Sequence, residues 1–161
     1  MSPTDPRLLA AFETELGDCL TRLRQPLDRL RSAGRDACAA ELKELNRLTH
    51  TIKGSGRMLG QTACFELGRR LETAFKQLAD QTVQTDTAFF QAVEAALENL
   101  GLVRATLRQP GSTVDHTAAA TLLDQWLGAA ATPTPPTPPP TAAPAPASAP
   151  ASAPKIGRAH V

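Results

Sequence analysis

Hydrophobic residues recur at spacings of three and four along the first part of the chain, the pattern of an amphipathic helix with one buried face. The stripe is formed by Leu9, Phe12, Leu16, Leu20, Leu23, Leu27 and Leu30. Asp5 is suited to cap the start of this helix, with Pro6 in the first helical position and Gly34 at the end. Pro26 lies inside the stripe and predicts a kink or break near residues 22–25.

Three further segments show the same periodicity. Their inward positions are Leu45, Leu48, Ile52, Ser55 and Leu59, then Cys64, Leu67, Leu71, Phe75 and Leu78, then Phe89, Val93, Ala96, Leu100, Val103 and Leu107. Asp36 and Asp86 can cap the second and fourth segments, and Gln109-Pro110-Gly111 ends the fourth. The sequence therefore predicts an all-α fold, an antiparallel up-down four-helix bundle over residues 5–109.

A shorter helical segment follows over residues 113–128, beginning at Thr113. Its apolar positions are Val114, Ala118, Leu122 and Trp126. We expect this fifth helix to pack across an end of the bundle, although Trp126 is also suited to dock a partner. His116 belongs to no motif and is expected at the surface.

Residues 129–154 are rich in Pro, Ala, Ser and Thr and carry ten of the fourteen prolines. This composition predicts a disordered, extended linker. The last seven residues, 155–161, are unlike the linker and match the translation of a sequencing adaptor, AAG ATC GGA AGA GCA CAC GTC. We interpret them as an artefact and expect a linker to join a further domain.

Composition narrows the function classes. The 161 residues include 17 Lys and Arg against 16 Asp and Glu, so no net charge draws the chain to nucleic acid or an anionic membrane. The absence of tyrosine and the 4% aromatic content argue against a base-stacking surface. No apolar run approaches the roughly 18 residues of a membrane span, and no signal peptide opens the chain. Cys19, Cys38 and Cys64 lack CxxC spacing, which favours reduced, buried thiols in a cytoplasmic protein.

The second helix contains an unusual string, His50-Thr-Ile-Lys-Gly-Ser-Gly-Arg-Met-Leu-Gly60. Gly54 and Gly56 lie in the helix interior, at a cost of about 1 kcal/mol each relative to alanine, whereas Gly60 can end the helix. Because His50 is about 200° around the helix from Ile52, it faces outward when Ile52 faces inward.

The residues one and two turns beyond the histidine suggest that it carries a phosphoryl group. Lys53 and Arg57 place positive charge on the side of His50, where it would offset the charge of a phosphate. Gly54 and Gly56 lack a Cβ and would let a partner approach closely.

At these residues the chain resembles the histidine phosphotransfer (HPt) family, whose signature is His-x-(Leu/Ile)-Lys-Gly-Ser/Gly with a further glycine ten residues after the histidine. The fuller string with Gly56, Arg57 and Met58 is most similar to the N-terminal HPt modules of chemotaxis-type hybrid sensor histidine kinases that govern type IV pilus motility. The resemblance implies a four-helix bundle in which His50 is phosphorylated.

In those kinase modules a glutamate 22 residues after the histidine bonds its Nδ1, and Glu72 has this spacing. The resemblance therefore implies that Glu72 orients His50. Arg69 falls where such modules often carry another polar residue of the network. The alternative is that Glu72 is a surface residue that pairs with Arg69 or Lys76, and the sequence leaves both open.

The resemblance implies a phosphoryl carrier in a two-component phosphorelay, not an enzyme on its own. His50 would accept phosphate from a histidine kinase or a phospho-receiver and pass it to a receiver-domain aspartate. No cofactor is expected in the chain, since partner kinase and receiver domains would bind ATP and Mg²⁺. We expect no nucleic-acid partner and no membrane insertion.

Three alternatives remain. The bundle could be an interaction scaffold that works without phosphorylation. A metal site from His50, Glu72 and Cys64 is disfavoured, because their spacing fits no known ligand set and a neighbouring lysine opposes cation binding. Finally, the domain could be a free-standing shuttle or an N-terminal part of a larger histidine kinase, which the linker favours.

Overall fold

Five helices make up the computed structural model, which describes residues 5–34, 38–80 and 84–131. They are α1 (Pro6–Ala33), α2 (Ala39–Met58), α3 (Thr62–Ala79), α4 (Thr87–Thr106) and α5 (Thr117–Ala131). These residues contain no strand. The prediction of an all-α bundle with a fifth helix is therefore confirmed. The expected cap at Asp36, the linker from residue 132 and the segment 155–161 lie outside the described residues.

The predicted ends of α1 are confirmed. The Asp5 carboxylate accepts a hydrogen bond from the Arg7 backbone N–H at 2.9 Å, with Pro6 in the first turn. Gly34 ends the helix at φ +76°, a conformation that favours glycine, and its N–H donates to the Leu30 carbonyl at 3.1 Å.

Pro26 predicts a kink or a break in α1, and of these two the break is wrong. The helix runs without interruption from Pro6 to Ala33. Pro26 removes only one backbone donor, the N–H that would bond to Arg22, whereas Leu23 and Leu27 on either side of it are buried in the core. The burial of both flanking leucines compensates for one lost hydrogen bond.

Glycines set the packing of α2 on α3. A Cβ added at Gly56 would lie 2.7 Å from the Cβ of Cys64, and one added at Gly68 would lie 2.8 Å from the backbone nitrogen of Lys53. Each helix thus presents one glycine to the other helix, and the two backbones approach more closely than side chains would allow. The chain turns between them at Gly60, φ +64°, with Gln61 N–H bonded to the Gly56 carbonyl at 2.8 Å.

The α4 helix begins at the predicted cap, with the Asp86 carboxylate accepting from the Phe89 N–H at 2.7 Å. Phe89 is fully buried and stacks edge-on against Phe75 of α3, with ring centroids 6.0 Å apart. Phe89 also contacts Trp126 of α5, with ring centroids 4.9 Å apart. The aromatic cluster joins three helices.

The start and the buried face of α5 differ from the prediction. The helix begins at Thr117, not Thr113, because the Asp115 carboxylate accepts the Thr117 N–H at 2.9 Å. It continues to Ala131, so the first three residues assigned to the linker are helical. Its buried residues are Ala119, Ala120, Leu123 and Trp126, whereas Leu122 is 41% exposed. Because Trp126 packs in the core, it is not a free docking residue. His116 is half-buried just before the helix.

The glycine contact predicts opposite effects of alanine at two positions. Gly68→Ala should destabilise the bundle by about 1–3 kcal/mol, because its methyl group meets the Lys53 backbone and forces α2 and α3 apart. Gly54→Ala should stabilise it by about 0.5–1 kcal/mol, because a Cβ there meets nothing within 4 Å. Urea unfolding followed by circular dichroism measures both, and equal stability of the two variants would contradict the prediction.

Candidate functional site

His50 lies on the outer face of α2, as the sequence predicts. Its side chain is 67% exposed, whereas Ile52 is only 2% exposed on the opposite side. The preceding residue, Thr49, is fully buried, and its hydroxyl donates to the Leu45 carbonyl at 2.9 Å. The backbone that carries His50 is therefore fixed by the core, while its imidazole is open to a partner.

The carboxylate of Glu72 connects His50 to Lys53. Glu72 Oε1 lies 2.6 Å from His50 Nδ1, and Glu72 Oε2 accepts a hydrogen bond from the Lys53 ammonium. The Glu72 and Lys53 side chains are mostly buried, at 21% and 26% exposure. The alternative that Glu72 is a surface residue paired with Arg69 or Lys76 is therefore wrong.

Glu72 is held in its ionised form. Partial burial by itself would raise the pKa of this carboxyl group, but the hydrogen bonds from Lys53 and His50, together with their charge, outweigh burial and lower its pKa. An ionised carboxylate is only an acceptor, so the Nδ1 of a neutral His50 must carry the proton. The lone pair of that imidazole is then on the exposed Nε2, where it can act as a nucleophile.

Glu72 reaches His50 because the α3 backbone lies close to α2 one helical turn before Glu72. Gly68, four residues before Glu72, is the position where the α3 backbone meets Lys53. Asn46, one turn before His50, adds a longer contact from its amide to the Glu72 carbonyl at 3.5 Å. Sequence reasoning missed both residues. The helix-interior cost that drew attention to Gly54 and Gly56 applies equally to Gly68.

The two glycines of the motif that lie inside the helix, Gly54 and Gly56, have different environments. Gly54 is exposed, and a Cβ there would meet nothing within 4 Å. Gly56 is buried against Cys64 and Phe65 of α3, so the prediction that it lets a partner approach is wrong. Its absent side chain serves the packing of two helices within the bundle.

The other two predicted site residues, Arg69 and Arg57, differ in their contacts. Arg69 is not in the histidine network, because its guanidinium donates to Glu66, one turn away, at 3.2 Å. Arg57 is exposed, and its side chain has no hydrogen bond or ion pair within the described ranges. Ser55 makes a contact that was not predicted: its hydroxyl donates a hydrogen bond to the Glu15 carboxylate of α1 at 2.5 Å.

The geometry does not assemble a metal centre from the residues weighed for one. Cys64 is fully buried in the core, and burial raises the pKa of its thiol to about 12. Within residues 5–34, 38–80 and 84–131, no group of three His, Cys, Asp or Glu side chains is placed to hold a metal ion.

Comparison with protein families agrees with this geometry. The model of the family described as "Hpt domain" matches residues 7–102, which span α1 to α3 and most of α4. The chain belongs to the Hpt domain family. No curated protein and no solved structure matched the chain in the corresponding comparisons.

As an Hpt domain, the protein is a phosphoryl carrier in a phosphorelay, and its family works with receiver domains and kinases instead of catalysing alone. The α5 helix lies beyond the matched residues, although Trp126 is part of the core. Among the helices that the structure describes, none combines the length and apolar character needed to cross a bilayer.

Glu72 gives the Hpt domain a pH-dependent stability. Its folded-state pKa lies below the usual 4.5, so its contribution is present above that value and is lost as the pH falls through the folded-state pKa. The free energy of unfolding of the wild type should exceed that of Glu72→Gln at about pH 6, and the difference should shrink as the pH falls below 4.5. Denaturant titrations across this range measure the difference.

Glu98→Gln is the matched control, because Glu98 is exposed and makes no ion pair within the described residues. Its difference from the wild type should stay small at every pH. A gap between wild type and Glu72→Gln that does not narrow toward low pH would contradict the prediction.

Proposed function

We propose that His50 is the phosphorylated residue of this Hpt domain. The observation that carries the proposal is the exposed imidazole whose Nδ1 is held by Glu72. The Nε2 lone pair attacks phosphorus, an N–P bond forms, and the P–O bond to the donor breaks. The donor is ATP on a histidine kinase or the aspartyl phosphate of a receiver.

The return step is the same displacement in the other direction. A receiver aspartate attacks the phosphorus, the N–P bond breaks, and its electron pair returns to Nε2. The proton stays on Nδ1 throughout, since Glu72 continues to accept it. The chain supplies the carrier residue, and the partner domains supply ATP and Mg²⁺.

Two cations and one glycine complete the proposed site. Lys53 is anchored on the carboxylate that also holds His50, and Arg57 lies two turns from the histidine with no ion-pair partner within the described ranges. Both offset the charge of the phosphoryl group. Gly54, one turn beyond His50, leaves room for the approaching receiver.

We also propose that the domain is an N-terminal module of a larger chemotaxis-type hybrid histidine kinase of the cytoplasm. The support is the resemblance of the string from His50 to Gly60 and the linker-like composition of residues 132–154. Sequencing the native locus tests this proposal. A reading frame that continues past Pro154 into kinase domains supports it, and a stop codon after Val161 contradicts it.

Replacement of His50 should abolish phosphorylation. Wild-type protein incubated with a radiolabelled phospho-receiver, or with a kinase core and ATP, should gain acid-labile, base-stable label, and His50→Gln should gain none. His116→Gln is the matched control, since it removes another histidine outside the motif, and it should label like the wild type. Label on His50→Gln would show that another residue carries the phosphoryl group. Absence of label on all proteins would favour the alternative of a phosphorylation-independent scaffold.

Gly54→Ala should separate stability from phosphotransfer. Both Gly54 and Gly101 have open space where a Cβ would lie, so alanine at either position should stabilise the domain by about 0.5–1 kcal/mol. Only Gly54→Ala should slow transfer to a receiver, because its methyl group occupies the approach path beside His50. Single-turnover transfer rates measure this effect, and equal rates for the two variants would remove Gly54 from the proposed site.

A further inference from the structure

The described cations divide into two groups according to their partners. Most of the arginines bind carboxylates: Arg22, Arg24, Arg29, Arg31, Arg47, Arg69, Arg70 and Arg108 are all ion-paired. Lys43, Arg57 and Lys76 have no carboxylate partner among the described residues, and the same is true of Arg7 and Arg104. Three of these unpaired cations are on the two helices that form the His50 site.

Lys43 and Lys76 share one groove with His50. The groove lies between α2 and α3, has a volume of about 470 Å³, and includes apolar lining from Leu42 and Ala79. Lys43 precedes His50 by two turns of α2, about 10 Å along the helix axis, and Lys76 follows Glu72 by one turn of α3. Both lysines are exposed. One end of the groove is therefore positively charged, and the histidine is at the other.

The surface on the opposite side of His50 carries Arg57, which the proposed function assigns to the phosphoryl group, and two uncharged positions. Gly54 is open, and Met58, one turn further, is 82% exposed. It is the most exposed of the large hydrophobic residues in the described part of the chain. A flexible methionine is well suited to an apolar contact with another protein.

We propose that these two ends orient the receiver domain on the Hpt domain in a single direction. An acidic edge of the receiver lies over Lys43 and Lys76, an apolar part contacts Met58, and the receiver aspartate meets His50 between them. This inference rests on the proposed function. It assigns a partner-orienting role to three residues outside the phosphoryl-binding site.

Charge complementarity is the reason for choosing an acidic partner edge. An arginine already bound to a carboxylate has little charge left to attract a partner, whereas Lys43 and Lys76 present two uncompensated charges on one side of the nucleophile. Such charges raise the association rate and suppress wrong orientations. Their effect weakens as salt screens them, whereas an apolar contact at Met58 is much less sensitive to salt.

The test uses the full chain and separates loading from docking. Wild type, Lys43→Glu, Lys76→Gln and the double variant are phosphorylated with phosphoramidate, a small donor that needs no docking surface. Transfer to a panel of receiver domains with Mg²⁺ is then timed. Arg7→Glu is the control, because Arg7 is an unpaired cation near the start of α1, away from the groove. Circular dichroism checks that each variant is folded.

All proteins should load equally on His50. The double variant should transfer roughly tenfold more slowly than wild type at about 50 mM salt, and the difference should shrink toward about 500 mM. Arg7→Glu should match the wild type. Met58→Ala should slow transfer by a similar factor at both salt concentrations.

Equal transfer by wild type and the double variant at low salt would overturn the inference and leave the proposed function standing. An equal loss in Arg7→Glu would also overturn it, since the effect would then be one of net charge. If His50 does not load, or loaded wild type transfers to no receiver, the proposed function itself fails and the inference fails with it.

Discussion

The close contact between α2 and α3 is the constraint on which the rest of the site depends. Gly56 and Gly68 remove the side chains that would hold these helices apart. At a larger separation the Glu72 carboxylate, which projects from α3, would lie further from His50 on α2. The cost of glycine inside two helices, about 1 kcal/mol at each position, is thus offset by helix packing and gives the histidine its hydrogen-bond partner.

A single carboxylate then performs two tasks at once. With one oxygen on His50 Nδ1 and the other on Lys53, Glu72 fixes the orientation of the imidazole and the position of a cation beside it. Neither task requires a flexible loop, because all three side chains project from regular helix. The proposed nucleophile is therefore positioned before a partner arrives, and little conformational entropy would be lost when the partner docks.

The sequence was sufficient for the fold and for the exposure of His50, because both follow from the helical period. The same helical period indicates that Gly56 is buried, because Gly56 lies only about 40° around the helix from the buried Ile52. The prediction instead grouped Gly56 with Gly54, because both belong to the motif. Arg69 could not be assigned from spacing, because Glu66 competes for its guanidinium from one turn away. In α5, alanines lie on both faces, so the pattern of larger residues placed Ala118 and Leu122 inward although both are exposed, whereas Trp126 is buried as predicted.

The distribution of ion pairs connects the bundle to its role as a carrier. Glu72 already places one negative charge at the site, and the proposed phosphoryl group on Nε2 would add nearly two more. Lys53 offsets part of this charge from within, but its ammonium is shared with Glu72. Elsewhere in the described chain most arginines are neutralised by nearby carboxylates. Arg57, which is exposed on α2 without an ion-pair partner among the described residues, is therefore the cation left on this helix to offset the rest of the proposed phosphoryl charge, whereas Lys43 and Lys76 remain available to a partner.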